Sequence, residues 1–151
     1  MWQRKQTVFL LLAAVVLVVA LCLPVATVEP NGMGVSPVLY NMALVMPDHS
    51  TRFATCVMGV VEAIAAALVV VTIFLYKRRP LQARLCNVVC LLEGVWYVML
   101  VAFATTMLSD LGTVHVSWTA SLPLVVVILS LMARSGIRAD EKLVRSMDRI
   151  R

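Results

Sequence analysis

The stretch IFLYKRRPLQARLC, residues 73–86, joins two long apolar segments through a short and strongly basic turn. Four of its residues are Lys or Arg, and Pro80 directly follows the basic run. Proline lacks a backbone N–H and disfavours helix at the residue before it, so it marks a break between two helices. The stretch therefore predicts a tight connection between two antiparallel helices.

The composition indicates an integral membrane protein. Of the 151 residues, 62% are hydrophobic and the mean hydropathy is +0.95, whereas soluble domains are about half apolar. Aromatic residues make up only 7%, so the hydrophobicity comes from aliphatic side chains in long runs. This pattern is typical of membrane helices and differs from the alternating pattern of a membrane β-barrel.

Four apolar segments are long enough to cross a bilayer, which takes about 20 helical residues. The predicted spans are residues 7–25, 53–76, 85–108 and 115–133, and a charged tail follows over 134–151. The first span resembles a signal peptide, but the residues around Pro24 form no small-x-small cleavage site, so we interpret it as uncleaved. Pro123 is expected to kink the fourth span.

Two segments outside the spans show helical spacing of their apolar residues. Within 36–46, Ser36 and Pro37 precede such a pattern, so this segment is either a short surface helix or an ordered apolar loop. In the tail, apolar residues share one face, which predicts an amphipathic helix on the membrane surface. The predicted fold class is all-α, an integral-membrane antiparallel bundle of four helices with a C-terminal amphipathic cytoplasmic helix.

The basic residues are distributed asymmetrically along the chain. When both termini and the 77–84 turn are placed on one side, that side holds twelve Lys and Arg residues. The other side then holds only Arg52. Because cytoplasmic loops carry the excess of Lys and Arg, both termini are predicted to be cytoplasmic.

Three of these cytoplasmic pieces resemble a known family. They are MWQRKQT (1–7), the opening stretch (73–86), and DEKLVRS (140–146) with DRIR (148–151). All three are similar to the matching parts of small four-span bacterial inner-membrane proteins, found chiefly in the Bacteroidota, that form a family of unknown function. The resemblance implies a multi-pass protein of the bacterial inner membrane, and it implies no activity and no cofactor.

Two acidic residues, Glu62 and Glu93, lie inside the predicted spans. Carboxylates at such positions are costly and are functional candidates by default. Counted along ideal helices from residues 77 and 84, they lie about 22 Å and 13 Å from the cytoplasmic edge, about 9 Å apart in depth. They are either a proton or cation relay, or neutral acids that pack and bond between helices.

The residues that most often carry chemistry lack the required spacing. No CxxC pair occurs among the four cysteines, and His49 and His115 lack further ligands at fixed spacing. Phosphate-binding loops and nucleophile motifs are missing too. The sequence therefore predicts no enzyme activity, no cofactor and no metal site.

We therefore predict a non-enzymatic accessory or assembly subunit of a membrane complex, acting through its basic cytoplasmic face. That face is expected to bind anionic lipid head groups and a protein partner or a second copy of the chain, but not nucleic acid, since interleaved aromatic residues are missing. The alternative is a small proton- or cation-coupled transporter that uses Glu62 and Glu93. The candidate contact residues are Lys77, Arg78, Arg79, Arg84, Arg138, Arg145 and Arg149.

Overall fold

The computed structural model describes residues 3–30, 32, 34–48, 50–76 and 78–148. Four helices form an antiparallel bundle, which confirms the predicted fold class, and successive helices pack side by side. The first helix also packs against the last, so the four close into a square. The helices are α1 (Gln3–Cys22), α2 (Cys56–Phe74), α3 (Arg79–Phe103) and α4 (Leu122–Asp148).

The apolar lengths of these helices suit a bilayer. Three helical stretches, Phe53–Phe74, Arg79–Leu108 and Trp118–Val144, are long and apolar enough to cross a membrane. The apolar part of α1, Gln6–Cys22, is shorter than these three stretches. Helix α1 packs against both α2 and α4. We call the end of the bundle at Gln6, Arg79 and Asp140 the basic end, and the opposite end the sheet end.

One stripe of each helix is buried, because buried residues recur every three or four positions. On α1 these are Leu10, Ala13 and Leu17, and on α4 they are Val126, Ala133 and Ile137. Alanine at the α1–α4 contact lets the two helix backbones approach closely, as small residues do in membrane bundles. The opposite faces carry exposed Val, Leu and Ile side chains, which suits contact with lipid.

A five-stranded antiparallel sheet covers the sheet end, and the sequence analysis did not predict it. Its strand order is β4-β3-β2-β1-β5, and one face packs on the ends of the helices through Val28, Leu39 and Trp96. The segment 36–46 contains two of the strands, so its interpretation as a helix is wrong. The strands are β1 (Pro24–Pro30), β2 (Val38–Tyr40), β3 (Leu44–Val45), β4 (Thr51–Arg52) and β5 (Gly112–Val116).

The sheet shortens the predicted spans at this end. Pro24 and Val25, placed at the end of the first span, belong to β1, and residues 112–116, which include the predicted start of the fourth span, form β5. A 3₁₀ turn over Trp118–Ser121 leads into α4, so Pro123 lies in the first helical turn. No N–H is needed for a helical hydrogen bond there, so the proline starts this helix rather than kinking it.

The turn at the basic end is tighter than predicted. Helix α3 begins at Arg79, six residues before the predicted start, and Pro80 occupies its first turn. Only residues 75–78 separate it from α2. At its other end α3 continues into a π-helical turn over Ala104–Leu108, which reaches the predicted end of the third span.

The charged tail continues α4 instead of forming a separate surface helix. Helix α4 runs unbroken to Asp148, so the described part of the tail, residues 134–148, belongs to the same helix as the fourth span. Gly136 allows this helix to lie close to α1, because a Cβ there would come within 2.9 Å of the Gln6 side chain. Gln6 Nε2 donates a 2.8 Å hydrogen bond to Asp140 Oδ2, which ties α1 to α4 at the basic end.

Asn41, between β2 and β3, joins the sheet to three helices. Its Nδ2 donates to the Ala20 carbonyl of α1 at 2.9 Å, and its Oδ1 accepts from Trp96 Nε1 of α3 at 2.9 Å. Its own carbonyl accepts from the Gly59 amide of α2 at 2.9 Å. Asn41 is 1% exposed, so these polar groups hydrogen-bond to one another instead of to water.

Replacing this side chain is expected to loosen the whole sheet end. Asn41→Ala leaves the Ala20 carbonyl and the Trp96 indole N–H buried without their partner, at about 1–3 kcal/mol for each group. Denaturant unfolding in mixed micelles, followed by Trp fluorescence, measures this loss. The control is Asn87→Ala, at a half-buried α3 position, which should change stability by less than about 0.5 kcal/mol. Equal effects of the two variants would contradict the role of Asn41.

Candidate functional site

Glu62 of α2 and Glu93 of α3 lie at the same depth in the bundle. Glu62 comes three residues after Gly59, and Glu93 three residues before Trp96, and both of those residues bond to Asn41. Counted along α2 from Phe74 and along α3 from Arg79, the two acids lie about 18 Å and about 21 Å from the basic ends of their helices. The expected depth difference of about 9 Å is therefore wrong. It assumed that the third helix starts near residue 84, whereas α3 begins at Arg79, so Glu93 lies deeper in the bundle than expected.

Both acids are enclosed by the bundle. Glu62 is 0% exposed and Glu93 is 1% exposed. Within the described part of the chain, none of their four carboxyl oxygens has a hydrogen-bond partner. A charged carboxylate at the centre of a membrane helix costs about 2.5–3.5 kcal/mol, so burial without partners favours two neutral acids.

The two acids belong to a longer column of polar groups, which we call the polar column. Both interact electrostatically with the Tyr97 hydroxyl on the sheet side, and Glu93 interacts with Cys90 on the basic side. Arg134 of α4 lies next, close enough to interact with the Cys90 thiol. The polar column thus follows the bundle interior from near the sheet toward the basic end.

Hydrogen bonds hold the polar column at Tyr97 on the sheet side and at Cys90, whose thiol donates to the Val127 carbonyl at 4.0 Å. The Tyr97 hydroxyl donates to the Ala120 carbonyl at 2.7 Å and accepts from the Leu124 amide at 3.2 Å. Farther along, Arg134 Nε is buried and has no partner among the described residues. Sequence reasoning assigned Arg134 to the cytoplasmic tail and missed this position, because it assumed that the span ended at residue 133.

The four cysteines are free thiols. Cys86 and Cys90 lie one helical turn apart on α3, where they contribute to the core and to the polar column. His115 of β5 lies 3.1 Å from Glu29 of β1, an exposed contact across two paired strands. His49 lies outside the described residues.

The structure brings several of the predicted basic contact residues to one end of the bundle. Arg78, Arg84 and Arg138 are exposed there, and Arg79 is half-buried at the start of α3. Among the described residues, none of these four forms an ion pair. The carboxylate of Asp140 at this end accepts a hydrogen bond from Gln6. Lys77, Arg149 and the Arg145 side chain lie outside the described part.

Helix α4 continues past its hydrogen bond to α1 at this end. The eight residues that follow Asp140, up to Asp148, add about 12 Å of helix beyond the bond to Gln6. Leu143 and Val144 on this part are 59% and 38% exposed. We call residues 141–148 the α4 extension. From the sequence we expected its apolar side chains to lie on the membrane surface in a separate helix. In the structure this part continues α4 without a break.

Comparison with protein families places the chain in a group without an assigned activity. The family described as a domain of unknown function (DUF4293) matches residues 2–150, nearly the whole chain, so the protein belongs to this family. This confirms the resemblance to a family of unknown function. Among curated proteins, none matches the chain.

Removing either buried acid is expected to stabilise the fold. Glu62→Met and Glu93→Met replace an unpartnered polar group by an apolar one of similar size, which should raise the free energy of unfolding by about 1–3 kcal/mol. Denaturant unfolding in mixed micelles measures the change, and Glu29→Met at the exposed sheet serves as control. A loss of stability in either variant would show that the carboxyl group makes a stabilising contact.

Proposed function

We propose that this protein is a non-enzymatic accessory or assembly subunit of a larger membrane complex. The observation that supports it best is the α4 extension, which carries exposed apolar side chains beside basic residues that form no ion pair with another described residue. The partner that fits this surface is an amphipathic and acidic segment of another membrane-associated protein.

The apolar part of this surface favours a protein contact. Leu143 and Val144 lie beyond the hydrogen bond that ties α1 to α4, and both side chains are exposed. Isolated exposed apolar residues are common, but two adjacent ones near the end of a helix give a partner an apolar patch to cover. A partner that covers them would gain about 25 cal/mol for each Å² of apolar surface that it buries.

The basic part of the surface would choose the partner. Arg78 and Arg84 are exposed near the start of α3, and Arg138 is exposed on α4 just before the extension. These cations form no ion pair with described carboxylates, so an acidic partner can bind them without displacing a described carboxylate of the chain itself. Complementary charge of this kind speeds association and selects partners more than it adds affinity.

The same proposal places all four helices across the bacterial inner membrane, with the basic end in the cytoplasm. Helix α1 packs along α2 and α4, and its Leu11, Val15 and Val18 side chains are exposed in the way of a lipid-facing surface. The positive-inside rule sets the direction, since the basic end holds most of the Lys and Arg residues.

A proton- or cation-coupled transporter remains the alternative function, and the packing gives it less support. Coupling through Glu62 or Glu93 requires a route for water or an ion to the carboxyl oxygens. In this conformation those oxygens are enclosed by protein. The accessory role needs no such route, so we place it first.

The accessory role predicts that the protein is purified from native membranes in mild detergent together with a larger complex. Leu143→Glu should abolish this association, because it puts a charge into the apolar contact. Arg138→Gln should weaken it. Blue native electrophoresis followed by mass spectrometry measures the association. The matched control is Val116→Glu, an equally exposed position at the sheet end, which should keep the partner. Recovery of wild-type protein as a lone bundle would contradict the proposal.

The orientation predicts opposite labelling of the two ends in intact cells. In a background with the four native cysteines replaced by alanine, Ser109→Cys should react with a membrane-impermeant maleimide, since it lies in an exposed turn at the sheet end. Ser146→Cys on the α4 extension should react only after the cells are permeabilised. The reverse result would invert the topology.

A further inference from the structure

A groove at the basic end opens between α1 and the turn that joins α2 to α3. Its volume is about 490 Å³, within the range of small-molecule sites. One wall consists of Val8, Leu11 and Leu12 of α1, and the polar end is formed by Tyr76 and Arg79. This groove is distinct from the α4 extension and from the polar column.

The two ends of the groove differ in polarity along the bundle axis. From Gln6 at its polar end to Leu12 at its apolar end, α1 rises about 9 Å. Val8, Leu11 and Leu12 are about half-exposed, on the face of α1 that the other described helices leave open. A ligand that fills the groove must therefore be charged or polar at the end of the bundle and apolar toward its middle.

The charge of the polar end selects the sign of the ligand. Arg79 is half-buried in the groove, and it forms no ion pair with another described residue. Its guanidinium group can bind two phosphate oxygens at once, while its aliphatic stem lies along apolar surface. Exposed Arg78 precedes it, and the sequence adds Arg4 and Lys5 within one helical turn of Gln6.

We infer that this groove binds one anionic phospholipid from the adjacent leaflet, with the phosphate at Arg79 and the start of an acyl chain along Leu11 and Leu12. A tyrosine at the same level suits the boundary between head groups and hydrocarbon, where amphipathic rings are favoured. The inference needs only the membrane insertion of the bundle, so it does not depend on the proposed accessory role.

Native mass spectrometry of the purified protein, loaded in turn with phosphatidylglycerol and phosphatidylcholine, tests the site. We expect one phosphatidylglycerol molecule to stay bound at collision energies that remove phosphatidylcholine. Arg79→Gln should weaken its retention about tenfold. Arg84→Gln removes the same charge from an exposed position of the same helix outside the groove, and it should weaken retention much less than Arg79→Gln does.

A second pair of variants tests the apolar wall. Leu12→Trp fills the groove and should prevent retention, whereas Leu131→Trp on the exposed face of α4 should not. Thermal unfolding identifies any variant that fails to fold. Equal retention of the two lipids, or equal effects of Arg79→Gln and Arg84→Gln, would overturn the site in favour of diffuse attraction between the basic end and the membrane.

Discussion

The side chain of Asn41 holds together parts of the chain that are far apart in sequence. Its bonds to Ala20 and Trp96, with the backbone bond to Gly59, fix the sheet against α1, α2 and α3 at one level. Water cannot replace these bonds at a buried position, so their loss would leave several polar groups unpaired. The level of this contact also sets the depth of Glu62 and Glu93, each three residues farther into the bundle.

Those two acids show that this core is not optimised for stability alone. An apolar residue at either position would avoid the cost of a buried carboxyl group without a partner, yet both positions keep an acid. Together with Tyr97, Cys90 and Arg134 they give the interior a polar column that packing by itself does not need. This column is closed in the present conformation, so any role in proton or cation movement would require the bundle to open.

The two ends of the bundle present different surfaces to their surroundings. The sheet end is a folded cap, built from paired strands over an apolar cluster. At the basic end, by contrast, are the α4 extension, the exposed arginines and the groove beside Arg79. Interaction with other molecules is therefore proposed at the basic end, where a protein would meet the α4 extension and a lipid would meet the groove. These surfaces lie on different helices, so they can be tested separately.

The sequence by itself determined the membrane class, the number of long helices and the asymmetric charge, because these depend on composition and on runs of apolar residues. It also singled out Glu62, Glu93 and the basic turn, since charges next to or inside apolar runs are conspicuous. Only the tertiary structure decided the rest. The strands are short, and β1 pairs with β5 across a long sequence separation, so no local hydrophobic periodicity predicts them. Three features follow from where the helices begin and end: the alignment of Glu62 with Glu93, the burial of the Arg134 Nε atom and the continuation of α4. Contacts between helices, such as those of Gln6 with Asp140 and Gly136, set these helix ends, and the residues at the ends themselves do not.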